Sequence, residues 1–120
     1  MSQSNLPRGF RNNNPLNIRK GSNWKGLAPF QSDKSFCVFS EMRFGIRAAL
    51  YLLLKFYTKY HLHTLYDIIS RWAPSSENDT WSYCKLVAID MHIPVKFIAT
   101  LDLDLSHDYT RLYDLLSAMI

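Results

Sequence analysis

Apolar residues recur at three- and four-residue steps from Met42 to Tyr60, and no proline interrupts them. This spacing places them on one face and predicts a long helix over that range. The stretch "TLYDIISRWA" (64–73) repeats the pattern more briefly. Thr64 can cap the N-terminus of this second helix, and Pro74 should end it because proline cannot continue a helix.

Two further helices are predicted in the second half of the chain. Asn78 or Asp79 can cap a helix that runs to about Met91. Pro94 opens a short helical turn, and "LDLDL" (101–105) is a connecting segment or a short strand. The last stretch, "HDYTRLYDLLSAMI" (107–120), is amphipathic. Its apolar face consists of Leu112, Leu115, Leu116 and Met119.

The first 35 residues differ from the rest because they are rich in Asn, Ser, Gly and Pro, which favour turns. The segment "SFCVF" (35–39) that follows is a candidate for a short strand. The chain is therefore predicted to be mainly α, a single domain over residues 1–120 with a small irregular or β subdomain on its N-terminal side.

Composition narrows the class of protein. A hydrophobic content of 48% with 20% charged residues is ordinary for a globular protein. The most apolar run, Ala48 to Leu54, is far shorter than the roughly 18 residues of a membrane helix, so no membrane span is expected. The opening "MSQSNLPRGFRNNN" is polar, which predicts synthesis in the cytoplasm without a signal peptide.

The formal charge of +4 and the pI of about 9.2 suit an anionic partner such as nucleic acid, anionic lipid or an acidic cell-wall polymer. The basic residues are dispersed, and no helix carries a basic stripe of the recognition-helix kind. A nucleic-acid partner is therefore not expected.

Metal and cofactor chemistry have little support in the sequence. Cys37 and Cys84 lack zinc-type spacing and are interpreted as two buried free thiols. The four histidines do not pair as the motif HExxH requires, and no phosphate-binding glycine loop, dinucleotide fingerprint or GxSxG motif is present. We expect neither a metal nor a cofactor.

The stretch "RNNNPLNIRKGSNWKGL" (11–27) combines many side-chain amides with one large aromatic ring. Amides can bond hydroxyl and acetamido groups, and an indole can pack on the apolar face of a sugar. We therefore interpret Asn13, Asn14, Asn17 and Trp24 as candidate sugar contacts. The same reasoning favours a glycan over a nucleic-acid base as the ligand.

Two carboxylates are candidates for catalysis. Glu41 lies just before the long helix, where capping is favoured over catalysis because a negative side chain meets the helix dipole there. Glu77 lies in the loop "SSENDT" (75–80), where it either faces a cleft or belongs to a solvated turn. Asn78 and Tyr83 are further candidate contacts, although an aromatic at the position of Tyr83 is also typical of a core.

Three blocks of the sequence resemble, in the same order, the lysozyme-like proteins of bacteriophages and prophages, which are described as virion structural proteins or endolysins. The blocks are "RNNNPLNIR" with the following "W.G", "F..F.....GIRA" and "I..WAPSSENDT..Y". The resemblance covers about residues 8 to 120. A fainter likeness to flagellar-type β-N-acetylglucosaminidases involves the turn Asn14 to Ile18 and Trp24. Both resemblances imply a helical lysozyme-type fold, with peptidoglycan glycan strands as substrate.

Lysozyme-type enzymes need a carboxylic acid that protonates the glycosidic oxygen. The resemblance supports Glu77, which matches the shared "ENDT" block, and Glu41 is the second candidate. In the phage family the last helix continues into a stretch with Glu-Asn-Gly, whereas this sequence stops at Ala118, Met119 and Ile120. The acid is therefore expected at Glu77 or Glu41, or else in a segment that this sequence lacks.

Two classes of function follow from these observations. The first is a metal-independent peptidoglycan glycosidase or lytic transglycosylase of phage origin, which would act at the cell wall once delivered there. The second is a lysozyme-like virion component or glycan-binding module without catalysis. In both we expect a monomer, with the loops "NNNPLNI" (12–18) and "SENDT" (76–80) and Trp24 lining one groove.

Overall fold

The computed structural model describes residues 6–73 and 79–120. Within these ranges the protein is mainly helical, as predicted. The α-helices are α1 (Arg8–Arg11), α2 (Met42–Thr58), α3 (Leu65–Trp72), α4 (Thr80–Asp90) and α5 (Tyr109–Met119), with a 3-10 turn at Val95–Phe97. The one-turn helix α1 was not predicted, because a single turn leaves no periodic signal.

The chain divides into two compact units. The N-terminal unit comprises Met1–Tyr51 with Ile120, and the C-terminal unit comprises Leu52–Met119. Helix α2 contributes its residues up to Tyr51 to the first unit and the remainder to the second. A single domain over 1–120 stays a prediction.

The expected strand at 35–39 was wrong as a regular element. The described residues contain only two isolated bridges in this region, Arg19 with Phe36 and Leu27 with Phe39. Successive backbone amides of the segment bond to three different places: Cys37 N–H to the carbonyl of Ile18, Val38 N–H to the side chain of Gln31, and Phe39 N–H to the carbonyl of Asn12. A ladder cannot form when each amide has a different partner segment.

The core of the N-terminal unit is apolar and lies beneath these bridges. Its buried residues include Leu16, Ile18, Cys37, Phe39, Ala48 and Ala49. Both cysteines of the protein are free and buried, as the sequence indicated. Alternate residues of the segment, Cys37 and Phe39, are buried, as in a half-buried strand, although no strand forms.

In the C-terminal unit α4 packs against α3, α5 and the 3-10 turn. The predicted caps are confirmed: Thr64 Oγ1 accepts from Asp67 N–H at 3.1 Å, and Asp79 Oδ1 accepts from Ser82 N–H at 3.1 Å. These bonds satisfy amides that have no partner within the first helical turn. The four apolar residues expected on α5, namely Leu112, Leu115, Leu116 and Met119, are all buried.

Helix α2 ends at Thr58, two residues before the predicted end at Tyr60. His61 adopts a left-handed φ of 56°, and Leu62 N–H donates to the carbonyl of Phe56 at 3.0 Å. This arrangement closes a helix by satisfying its last carbonyl groups. Pro74, expected to end α3, lies outside the described residues, and α3 ends at Trp72.

Candidate functional site

Asn14 is the centre of the asparagine-rich loop. Its side chain has no exposed surface. The amide nitrogen donates to the carbonyls of Ile18 and Cys37, both at 3.0 Å, and its oxygen accepts from Ile18 N–H at 2.9 Å. Every hydrogen of this amide is therefore used by backbone, and the loop folds around it. Asn14 supports the site from within, and a direct sugar contact at this position stays a prediction that requires the loop to open.

Asn13 and Asn17 flank this centre with left-handed φ angles of 53° and 51°. Asparagine tolerates this region better than most residues, which explains the residue type at both positions. Asn13 is partly buried and donates from Nδ2 to the carbonyl of Phe39 at 3.0 Å. Asn17 is exposed, so its amide is the most accessible of the three candidate amides.

Gly45 in α2 allows the helix to approach this loop. A Cβ at this position would lie 1.7 Å from the carbonyl oxygen of Asn13 and 3.1 Å from Cδ of Pro15. Only a residue without a side chain fits this contact. The asparagine-rich loop and the "FGIRA" stretch (44–48) of α2 therefore pack directly against each other in the N-terminal unit.

Asp33 holds the other side of the loop. Arg8 binds its carboxylate bidentately, with Nε at 2.6 Å and Nη2 at 2.7 Å, and Asn12 Nδ2 donates to it at 2.9 Å. The backbone amides of Ser35 and Phe36 donate to the same carboxylate at 2.9 and 3.0 Å. The Arg8 guanidinium and these amides hold the pKa of Asp33 far below its usual range. Asp33 therefore stays ionised and cannot supply a proton.

Sequence reasoning missed the Arg8–Asp33 pair. The two residues are 25 positions apart, and neither lies in a periodic segment where spacing would reveal a partner. The available signals were weak: Asp33 is one of only two acidic residues before Tyr51, and "SDKS" has the pattern of an Asx turn. A carboxylate that bonds its own backbone two and three residues on is the result of such a turn.

Trp24 is partly buried in the N-terminal unit. Its indole Nε1 is buried and has no hydrogen-bond partner among residues 6–73 and 79–120. Buried indole N–H groups are normally paired, so this donor is unusual. The exposed part of the ring can pack on the apolar face of a ligand, whereas the buried Nε1 is not accessible to one.

Glu41 immediately precedes α2, and its carboxylate accepts from Arg43 Nη2 at 3.2 Å. The side chain is 58% exposed. A glycosidase acid is normally shielded from water, because burial keeps the carboxyl protonated near neutral pH. The surroundings of Glu41 do not provide this shielding, and its role as an acid remains a prediction.

The remaining candidates belong to the C-terminal unit. Tyr83 donates from its hydroxyl to the carbonyl of Met119 at 2.6 Å, and its ring contacts Trp72 at a centroid distance of 5.4 Å. Burial raises the pKa of Tyr83. Its hydroxyl therefore links α4 to the end of α5. Glu77 and Asn78 lie outside the described residues, and so does most of the loop expected to share a groove with residues 12–18.

Charge is distributed unequally between the two units. The stretch Met1–Tyr51 contains eight Lys and Arg but only two acidic residues, whereas Leu52–Met119 contains six Lys and Arg and eight acidic residues. Both acids of the N-terminal unit are ion-paired, Asp33 with Arg8 and Glu41 with Arg43. The modest net charge of the chain therefore conceals a strongly cationic unit.

The part of the chain that the structure describes contains no group of three or more His, Cys, Asp or Glu arranged to hold a metal ion. It also contains no helix with the length and apolarity needed to cross a bilayer.

No protein-family model matches the chain. Over 91 residues it is 44% identical to Protein P5 of Pseudoalteromonas phage PM2, an alignment that covers 72% of this chain and 57% of the phage protein. The chain thus spans a little over half the length of this relative. The finding establishes similarity to a bacteriophage protein.

Proposed function

We propose that this chain is a lysozyme-like protein of phage origin directed at peptidoglycan, and that its activity is cleavage of glycan strands. The observation that carries the proposal is the combination, on the cationic N-terminal unit, of the exposed amide of Asn17 with the partly exposed ring of Trp24. The resemblance of three sequence blocks to phage lysozyme-like proteins supports it, and so does the similarity to a bacteriophage protein.

The chemistry of these two side chains suits a glycan. An indole face packs on the C–H face of a sugar ring, and the exposed amide of Asn17 can bond a sugar hydroxyl or acetamido group. The excess of Lys and Arg attracts an acidic cell-wall polymer. Asn14, Gly45 and Asp33 hold the loop rigid, which lowers the entropy lost on binding.

For catalysis we propose Glu77 as the general acid. In this mechanism its carboxyl proton passes to the glycosidic oxygen as the bond to the anomeric carbon breaks. Water, for hydrolysis, or a hydroxyl of the same sugar, for transglycosylation, then attacks that carbon and gives its proton to the Glu77 carboxylate, which restores the acid. Neither route requires a metal. The site of action is the cell wall, reached by phage lysis or as part of the virion.

One observation favours a second candidate function, a non-catalytic glycan-binding virion component. The two carboxylates of the N-terminal unit do not suit proton donation: Asp33 is held ionised by Arg8 and three further hydrogen bonds, and Glu41 is largely exposed beside Arg43. If Glu77 is not the general acid either, non-catalytic glycan binding is the function that remains.

Purified peptidoglycan separates the two candidates. An enzyme lowers the turbidity of the suspension and releases fragments whose masses distinguish a reducing end from an anhydro end. Glu77→Gln removes the proton and keeps the size of the side chain, so it should abolish release while leaving cosedimentation with peptidoglycan intact. Glu41→Gln should leave release unchanged.

Binding is tested separately by cosedimentation. Trp24→Ala should weaken it by about fivefold, because a stacked ring is worth on the order of 1 kcal/mol. Trp81→Ala is the matched control, since Trp81 is 43% exposed but lies on α4 of the C-terminal unit. Equal binding by the parent and Trp24→Ala would refute the glycan surface, and a parent that binds without releasing fragments would favour the non-catalytic candidate.

A further inference from the structure

Three cationic side chains of the C-terminal unit converge on one aromatic ring. The centroid of the Tyr60 ring lies 4.7 Å from Cζ of Arg71, 5.7 Å from Nζ of Lys55 and 5.9 Å from Nζ of Lys59. We call these four residues the Tyr60 cluster. The buried Phe56 ring supports it from beneath, at a centroid distance of 6.4 Å from Tyr60.

No carboxylate neutralises these charges within residues 6–73 and 79–120, where none of the three cations forms an ion pair. Asp67 lies one helical turn before Arg71 on α3 and still does not pair with it. In the N-terminal unit, by contrast, Arg8 is neutralised by Asp33. Among the described residues, the Tyr60 cluster is therefore a concentration of positive charge without a paired carboxylate.

The backbone places these charges together despite their repulsion. Lys55 and Lys59 are four residues apart, and Lys59 N–H donates to the carbonyl of Lys55 at 2.9 Å, so the helical turn brings both to one face. Like charges at this spacing destabilise a helix. The helix dipole offsets part of this repulsion, because Lys55 and Arg71 lie in the last turns of α2 and α3. The dipole does not explain why both helix ends direct their cations to the same ring.

We propose that the Tyr60 cluster is a binding site for a phosphate group. Arg71 supplies a planar fork that matches two phosphate oxygens, the two ammonium groups supply further donors, and the Tyr60 hydroxyl is a neutral donor at the edge. Three cations exceed what a single carboxylate would compensate, which favours phosphate over carboxylate. The group is either a free phosphate ion or the headgroup of an anionic phospholipid.

Titration with inorganic phosphate, followed by nuclear magnetic resonance of the Tyr60 ring and of the amides of residues 55–62, tests the site. We expect saturable shifts with a Kd of about 1 mM, typical of a small exposed anion site. Lys59→Gln and Arg71→Gln should each weaken binding by about tenfold, as expected for the loss of one charge-assisted hydrogen bond. Arg71→Lys keeps the charge but loses the fork, so its affinity should fall between those of the parent and Arg71→Gln.

Lys96→Gln is the matched control. Lys96 also lies over an aromatic ring, 5.2 Å from the centroid of Phe97, but it is not part of the Tyr60 cluster. An equal loss of affinity in Lys96→Gln and Lys59→Gln would overturn the proposal, because it would indicate diffuse electrostatics. Shifts that stay linear in phosphate concentration would overturn it as well.

Vesicles identify the source of the phosphate. Cosedimentation with phosphatidylglycerol vesicles but not with phosphatidylcholine vesicles, weakened in Lys59→Gln and kept in Lys96→Gln, assigns the site to a headgroup. Saturable phosphate shifts without vesicle binding assign it to the free ion. The absence of both responses refutes the site. Because the assays contain no peptidoglycan, the result is independent of the proposed glycan activity.

Discussion

Substitution of Gly45 by alanine should destabilise the N-terminal unit strongly. The added Cβ would lie 1.7 Å from the carbonyl oxygen of Asn13 and 2.8 Å from its carbonyl carbon. Carbon and oxygen atoms that are not bonded do not normally approach closer than about 3.3 Å. The overlap is with backbone, so rotation of a side chain cannot relieve it. Either α2 or the loop must move by more than 1 Å, because the separation of 1.7 Å between Cβ and the carbonyl oxygen has to increase to about 3.3 Å.

The expected magnitude follows from opposing effects. Alanine is a better helix former than glycine, which alone would stabilise the protein by about 1 kcal/mol. Overpacking costs about 1–3 kcal/mol. Displacement of the loop would also strain the Asn13 bond to Phe39 and the three bonds of Asn14, each worth about 1 kcal/mol. We expect a net loss of about 3 kcal/mol in the free energy of unfolding.

Urea denaturation measures the loss, and hydrogen exchange locates it. The amides of Ile18 and Phe39, which donate to Asn14 Oδ1 and to the carbonyl of Asn12, should lose protection first. Gly21→Ala is the control. Gly21 has a φ of 141° but no atom within contact distance, so its substitution adds backbone strain of about 1–2 kcal/mol without a clash. A Gly45→Ala protein as stable as the parent, or more stable, would refute the reasoning.

Three further substitutions test individual bonds. Arg8 lowers the pKa of Asp33, so this pair stabilises the protein above the unfolded pKa of about 4, and the stabilisation is lost as pH falls below that value. In Asp33→Asn the free energy of unfolding should therefore depend less on pH in the acidic range. The bond to Asp102 raises the pKa of Tyr57 to about 12. The stabilisation from this bond is therefore complete below about pH 10 and is lost as pH rises through 12, and Tyr57→Phe should remove a tyrosine that titrates near pH 12 in ultraviolet absorbance. Tyr83→Phe should cost about 1 kcal/mol in urea denaturation, because only the hydroxyl bond to the C-terminal end of α5 is lost; no change would mean that solvent replaces it.

The helices of the C-terminal unit were predictable because the responsible signals are local. Thr64 and Asp79 cap helices whose amides lie three residues away, and the apolar face of α5 is set by spacing alone. The end of α2 was less predictable. Tyr60 fits the apolar period, but His61 takes a left-handed conformation that the period does not reveal.

The N-terminal unit was less predictable because its bonds are long-range. Helix α1 is a single turn between Pro7 and Asn12, and its Arg8 and Asn12 both bond to Asp33, more than twenty positions away. No periodic pattern encodes such a contact. The segment 35–39 shows the same limit, since its residue types favour a strand but its backbone amides bond to three separate parts of the chain.

The asparagines show why residue type alone does not assign a ligand contact. A side-chain amide imitates a peptide group, so the property that lets asparagine bond a sugar also lets it replace a missing backbone partner inside a loop. Asn14 is used in this second way, and Asn13 largely so, whereas Asn17 remains exposed. The two roles are complementary. A loop whose internal amides fix its backbone can present Asn17 with little loss of entropy on binding. Substitution of Asn14 should therefore lower the affinity for a ligand bound at Asn17, although Asn14 does not contact that ligand.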